Sequence, residues 1–137
     1  MKYWLIKSEP ETYPFSRLKE EKKTFWDGVR NYQARNNLRD MTAGDLCLFY
    51  HSNEGKEIVG LAKVVRESYQ DPTTDETAWL VVDVAFEKEF KKTVSLEAIK
   101  KVPELLNMVL VKNSRLSVQP VLEEEFQLIL HLSESGK

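Results

Sequence analysis

Between Leu46 and Phe90 the chain passes through three β-prone stretches, "LCLFYH", "IVGLAKVVRESY" and "WLVVDVAFEKEF". They are separated by "NEGKE", a hairpin signal, and by the polar loop "QDPTTDET". Aromatic and β-branched runs bounded by Gly, Asp and Pro in this way predict consecutive strands. In the third run Leu80, Val82, Val84 and Phe86 occupy every second position, so they share one face. Gly60 interrupts the second run and predicts a bulge or a close backbone approach, the kind of kink that curves a sheet toward a barrel. At 137 residues the chain is long enough to cover such a sheet with one hydrophobic core.

The flanking segments supply the rest of the fold. "YWLIK", residues 3–7, predicts an opening strand, and "SEPETYPF" turns the chain because Pro10 and Pro14 end any ladder. A short helix is expected around Phe15–Glu21, with "EKK" as its frayed end. A second helix is expected over Asn31–Asp40, where Ala34, Leu38 and Met41 face the core. Asn31, Arg35 and Arg39, spaced by four, form a polar stripe beside them. Ser95 stands at the N-cap position of another short helix in "SLEAIKKVPEL". "LVKNSRLSVQPV" reads as irregular and then strand-like. In "LEEEFQLILHL" Phe126, Ile129 and Leu130 share one side of a helix whose first turn, Glu123–Glu125, is solvated. No repeat, linker or low-complexity tract divides residues 1–137. The expected fold is a single α+β domain, a curved, mostly antiparallel sheet closed into a small barrel with short flanking helices.

Composition excludes several functions. Apolar runs fall far short of a membrane helix, and the N-terminal run is too short for a secretory signal. A lone cysteine, Cys47, forms no intrachain disulfide and reads as a small buried hydrophobe in a reducing, cytosol-like compartment. Two isolated histidines and that cysteine offer no metal-ligand spacing. Five scattered glycines form neither a dinucleotide fingerprint nor a P-loop, and there is no GxSxG elbow. The residues therefore imply no metal, no cofactor and no catalytic triad. His51, at a strand end, is expected to make a structural hydrogen bond. The net charge of −2 argues against nonspecific gripping of duplex backbone, so any contact with nucleic acid must be local.

The stretch "TFWDGVRNYQARNNLRDM", Thr24–Met41, concentrates groups that suit a ligand better than a core. Trp26 is followed by Asp27, Gly28 and Arg30, and its residue type leaves it open between core and a wall that stacks on a planar ligand. Trp79 opens a strand directly after a polar loop, whereas Trp4 lies mid-strand and belongs to the core. "IKSEP" ends the first strand with Lys7, Ser8 and Glu9, a cation, a hydroxyl and a carboxylate. "SRLSVQP" adds Arg115 flanked by hydroxyls. Alone, each segment also reads as ordinary polarity at a strand end.

Together, "YWLIKSEP", "TFWDGVRNYQARNNL", "GDLCLFYHS", "IVGLAKVV" and "SRLSVQPV" closely resemble the EVE domain of the PUA-like superfamily, over essentially the whole chain. The resemblance implies a small PUA-like barrel that binds nucleic acid through a pocket for a modified base. Similarity to the related YTH domain implies an aromatic cage with Trp26 as its first member and Tyr69 or Trp79 as a later one. It also places Glu9 at the edge-reading position. The pocket expected on this basis comprises Lys7, Ser8, Glu9, Trp26, Asp27, Asn31, Tyr32, Tyr69 and Trp79. Arg30, Arg35, Arg39, Lys112, Ser114 and Arg115 would contact phosphates or strand. The partner would be DNA or RNA carrying, for example, a methylated or hydroxymethylated cytosine or methyladenine, as a single strand or a flipped base. No membrane is involved, a monomer is favoured, and the location is cytoplasmic, or nuclear in a eukaryote. Two other functions stay open. One is an amidohydrolase of the ASCH type using Lys7, Ser8 and Glu9, although adjacent strand residues alternate faces and converge only if the strand breaks at Ser8. The other is a peptide-binding groove.

Overall fold

The computed structural model describes residues 1–53 and 55–134. Six strands form one sheet: β1 (Tyr3–Ser8), β2 (Lys23–Phe25), β3 (Leu46–His51), β4 (Glu57–Gln70), β5 (Leu80–Ser95) and β6 (Val118–Val121). Their order across the sheet is β2-β5-β4-β3-β1-β6. All pairings are antiparallel except β1 with β3, which run parallel with Leu5 opposite Leu48. The α-helices are α1 (Phe15–Glu21), α2 (Tyr32–Asp40), α3 (Leu96–Lys100), the single turn α4 (Val109–Lys112) and α5 (Glu123–Glu134), with a 3-10 turn over Pro103–Leu105.

Both faces of the sheet are covered. On one, Trp4, Ile6, Phe49, Val82 and Val84 pack with Phe15 and Leu18 of α1, and with Ala34 and Leu38 of α2. On the other, Leu5, Leu48, Ile58 and Val94 meet Ile99, Leu105, Met108, Leu110 and the α5 residues Phe126 and Ile129. Double coverage explains why "YWLI" and "LCLFY" are continuous apolar runs instead of alternating ones. Cys47 is fully buried among these side chains, and burial pushes its thiol pKa upward, away from reactivity.

Curvature arises in β4 and β5, whose ladder shifts register at four places, with a further shift between β3 and β4 after Phe49. Gly60 sits at two of these shifts. A Cβ there would lie 2.4 Å from Phe15 Cζ and 2.5 Å from the Lys88 carbonyl oxygen, so bulge and close approach coincide. The expected curved sheet is present, and among the described residues its ladders run from β2 at one side to β6 at the other without a ladder that closes them into a barrel. With helices on both faces, the apolar surface is buried without the edges having to meet.

Local expectations hold in most places. Ser95 Oγ accepts from the Ala98 N–H at 3.0 Å and caps α3. Asn31 precedes α2 as its cap instead of belonging to it, its Oδ1 accepting from the Ala34 N–H at 2.9 Å. The segment expected to fray after α1 turns at Lys22, φ 71°, and enters β2. The acidic first turn of α5 is only partly solvated: Glu125 is buried and accepts from the Leu122 N–H at 2.9 Å. No described helix is long and apolar enough to cross a membrane.

Candidate functional site

A cleft of about 920 Å³ opens where β1 ends, bounded by the turn after β1, by α1, by β2 with the Trp26–Val29 segment, and by the loop before β6. The sheet assembles it. The Lys7 N–H donates to the Ser117 carbonyl at 3.0 Å, which carries the loop from Ser114 to Ser117 alongside the end of β1. The Trp26 N–H donates to the Val82 carbonyl at 2.8 Å and fixes the exit of β2 against β5. Gln119, fully buried on β6, uses Nε2 to hold the same loop by the carbonyls of Leu116 and Asn113, at 2.8 and 3.3 Å.

The cleft brings together Lys7, Ser8, Glu9, Trp26, Asp27, Ser114 and Arg115, residues spread over more than a hundred positions of the sequence. Trp26 is 9% exposed, and its ring meets Tyr13 and Phe49 edge-on, at 5.9 and 5.5 Å between centroids. It is therefore both core and wall. Gly28 adopts φ 79°, the left-handed region that lets the chain turn tightly after Asp27, and its N–H donates to Asp71 at 3.2 Å.

Lys7, Ser8 and Glu9 all line the cleft, but each side chain bonds a different partner. The Lys7 ammonium bonds the Ser114 carbonyl and lies 5.7 Å from the Tyr50 ring, and burial lowers its pKa. Ser8 Oγ donates to the Tyr13 carbonyl at 2.6 Å, and the Glu9 carboxylate accepts from the Asn53 amide. β1 ends at Ser8, so Lys7 and Ser8 point to opposite faces of the strand while Glu9 lies in the turn beyond it.

Four cleft residues carry no obvious sequence signal. Tyr13, Arg17, Glu21 and Phe25 line it beside Trp26. The Tyr13 hydroxyl donates to Glu21 Oε1 at 2.7 Å, and Glu21 also accepts from Arg17 Nε at 3.1 Å. Burial first, and then the Glu21 carboxylate, push the Tyr13 phenol up to about 12, so it stays a neutral donor. Tyr13 lies in a Pro-bounded turn that reads as a connector. Only the alternation of β1, which sets Ser8 on the Trp4 and Ile6 face, hints that the following turn folds over that face.

The remaining predicted residues lie outside the lining of the cleft. Asn31 caps α2. The Tyr69 hydroxyl donates to Asp83 at 2.5 Å, with Arg66 3.8 Å from its ring, which commits it to the β4–β5 surface. Lys112 ends α4, exposed. Arg30, Tyr32, Arg35 and Trp79 make a second cluster in which Tyr32 lies 4.9 Å from Trp79. Arg39 donates to Asn36 Oδ1 at 3.1 Å on the same helix. Beneath them Asp71, fully buried, accepts from Arg30, from Gly28 and from both donors of Thr73. Burial raises its pKa, but these hydrogen bonds together outweigh burial and hold it down at about 2.

The family model of the EVE domain matches residues 2–132. Thymocyte nuclear protein 1 of Mus musculus is 40% identical over an alignment of 167 positions, spanning 97% of this chain and 74% of that protein. The human THYN1 protein, solved in complex with DNA containing 5-methylcytosine, superposes with a TM-score of 0.91 at 38% identity, over 98% of each chain. ASCH from Zymomonas mobilis superposes with a TM-score of 0.60 at 12% identity, over 96% of this chain and 95% of that one, a likeness of fold alone.

Proposed function

The chain belongs to the EVE domain family, and on that footing we propose that its cleft is a reader of modified bases in DNA, with 5-methylcytosine as its ligand. The observation that carries this reading is the cleft itself, which gathers Trp26, Tyr13 and Phe25 with the polar groups of Lys7, Glu9, Asp27 and Arg115. Its size lies within the roughly 300–1,000 Å³ common for small-ligand sites, ample for one extruded base.

Each group has a role that suits a base. Aromatic surface supplies stacking worth about 1–3 kcal/mol, and apolar edges suit a C5-methyl group. The carboxylates of Glu9 and Asp27 are acceptors only, which matches the exocyclic amine of cytosine. Arg115 and the Lys7 ammonium bring positive charge to the mouth, where the phosphates of an entering strand pass. Extruding a base from a stack costs a few kcal/mol, so single strands and weakened sites are favoured.

Hydrolysis of a modified nucleoside finds little support. The lowered pKa of Lys7 is the feature that would suit it, yet Lys7, Ser8 and Glu9 bond Ser114, Tyr13 and Asn53 and form no shared relay.

The test is a tryptophan-fluorescence titration with single strands carrying one cytosine, 5-methylcytosine, 5-hydroxymethylcytosine or N6-methyladenine. Preference for 5-methylcytosine over cytosine of about tenfold is expected, and Trp26→Leu should remove it, since stacking of this size controls such a factor. Leucine is chosen because Trp26 also packs on Phe49, so alanine would confound binding with folding. Equal response to all four strands, or selectivity that survives Trp26→Leu in a folded protein, would sink the assignment.

A further inference from the structure

The side chains left outside the cleft form an ordered pile. Tyr32, the first residue of α2, is 61% exposed, the most exposed aromatic residue among those described. Its ring is tilted 33° over Trp79 at 4.9 Å, and Trp79 is buried beneath it. The Arg30 guanidinium stands 5.6 Å from the Trp79 ring and the Arg35 guanidinium 5.2 Å from the Tyr32 ring. The two rings are thus neighbours, each with one guanidinium beside it, and the Tyr32 ring remains largely exposed.

The pile is fixed in place. Arg30 is tied to the buried Asp71 at 3.0 Å, Arg35 Nη1 donates to the Ala78 carbonyl at 2.8 Å, and Trp79 Nε1 donates to Glu76 at 3.0 Å. Burial of Trp79 serves stability, but an exposed tyrosine on the polar side of a helix contributes little to the core. Arg35 and Arg39 spend their hydrogen bonds on neutral oxygens, those of Ala78 and Asn36, so these bonds leave their charge available to a phosphate. The pile also adjoins the cleft. Gly28 and Val29 line the cleft, Arg30 is the next residue, and Asp71 holds Gly28 and Arg30 on one carboxylate oxygen.

The geometry points to a second subsite, centred on Tyr32, for the nucleotide that adjoins the one whose base enters the cleft. This rests on the reading of the cleft as a base pocket in DNA. The neighbouring base stacks at Tyr32, and its phosphate lies beside Arg35 and Arg39. The occupant is the same DNA strand, because a strand with one base in the cleft must leave it past its rim, and this side carries both rings and two guanidinium groups, Arg35 and Arg39, whose bonds among the described residues go to neutral oxygens.

The position of the modified base within the strand gives the test. Three single strands carry 5-methylcytosine at the centre, at the 5′ end or at the 3′ end, and a fourth carries unmodified cytosine at the centre. Wild type, Tyr32→Ala and Tyr32→Phe are titrated with each. Tyr32→Ala should weaken the central strand and one terminal strand by about tenfold, leave the other terminal strand unchanged, and be rescued by Tyr32→Phe. A loss common to all three modified strands would mean that Tyr32 acts through folding or inside the pocket, and no loss would mean that it touches no DNA; either overturns the subsite. If wild type does not distinguish the modified from the unmodified central strand, yet Tyr32→Ala weakens both, the subsite stands and the modified-base reading falls. Failure of wild type to bind any strand overturns both.

Discussion

At Asp45 three donors meet a carboxylate that is 3% exposed: the Trp4 indole at 3.0 Å, the Lys2 N–H at 3.1 Å and the Thr42 N–H at 2.9 Å. Burial alone would raise its pKa, but the three hydrogen bonds prevail and lower it. Trp4 thus does two things, filling the core with its ring and satisfying a buried anion with its N–H. Trp4→Phe separates them, keeping most of the apolar contact while leaving Asp45 one donor short, and should cost about 1–3 kcal/mol in urea denaturation. Trp4→Ala also opens a cavity and should cost about 3–5 kcal/mol. Equal stability of Trp4→Phe and wild type would show the indole hydrogen bond to be irrelevant. The sequence places Trp4 correctly because its neighbours Leu5 and Ile6 are apolar. Trp26 is harder, since polar neighbours report where the backbone runs and not which way a large ring turns. It turns inward against Phe49 and still lines the cleft, so both readings of it are half of the answer.

Strands of five residues or more are legible from their apolar patterns: β1, β3 and β4 fall within a residue of where those patterns put them, while β5 runs on past Phe90 to Ser95 through a polar stretch that carries no such pattern. The three-residue β2 and the four-residue α4 show no complete period, so only their tertiary partners define them. The candidate site follows the same division. Lys7, Ser8, Ser114 and Arg115 could be singled out as polar strand ends, but their meeting depends on β6 pairing with β1, a contact across more than a hundred residues. The family resemblance groups Tyr32 and Trp79 with the cleft, whereas the geometry separates them into a pile of their own. Within β4, Gly60 is the point on which the curvature turns. In Gly60→Ala the new methyl meets the Phe15 ring and the Lys88 carbonyl, and the carbonyl belongs to a backbone that cannot swing aside. The substitution should cost about 1–3 kcal/mol, read as a lower urea midpoint. It should also disturb α1, whose Phe15 must move and which forms one wall of the cleft. An unchanged midpoint would mean that β4 and β5 part easily there, and that the bulge is not set by close packing.

Over the whole molecule, acid should undermine the fold in two separate intervals. His51 lies at the end of β3, and its Nε2 accepts from the Phe15 N–H at 3.1 Å, which requires a neutral ring with its proton on Nδ1. Burial lowers its pKa from 6.5, with Glu57 pulling more weakly the other way. A group whose pKa is lower in the folded state takes up more protons on unfolding, so stability rises with pH across the interval between the two values. The His51 contribution is therefore complete above 6.5 and declines as pH falls below it. Asp71 operates lower, its contribution complete above 3.8 and lost as pH falls toward about 2. Asp45, also held below its ordinary value of 3.8, adds to that second decline. His51→Gln retains a possible acceptor for the Phe15 N–H but cannot titrate. Urea midpoints followed from about pH 8 downward should show the first decline in wild type and lose it in His51→Gln, with the second decline kept. Because the Phe15 N–H lies in the first turn of α1, the wall that carries Arg17 and Glu21, the same protonation should loosen the cleft before the sheet gives way. Base affinity measured in parallel should then fall in the first interval in wild type and hold steady in His51→Gln. A decline retained in full by His51→Gln would assign the first interval to some other group.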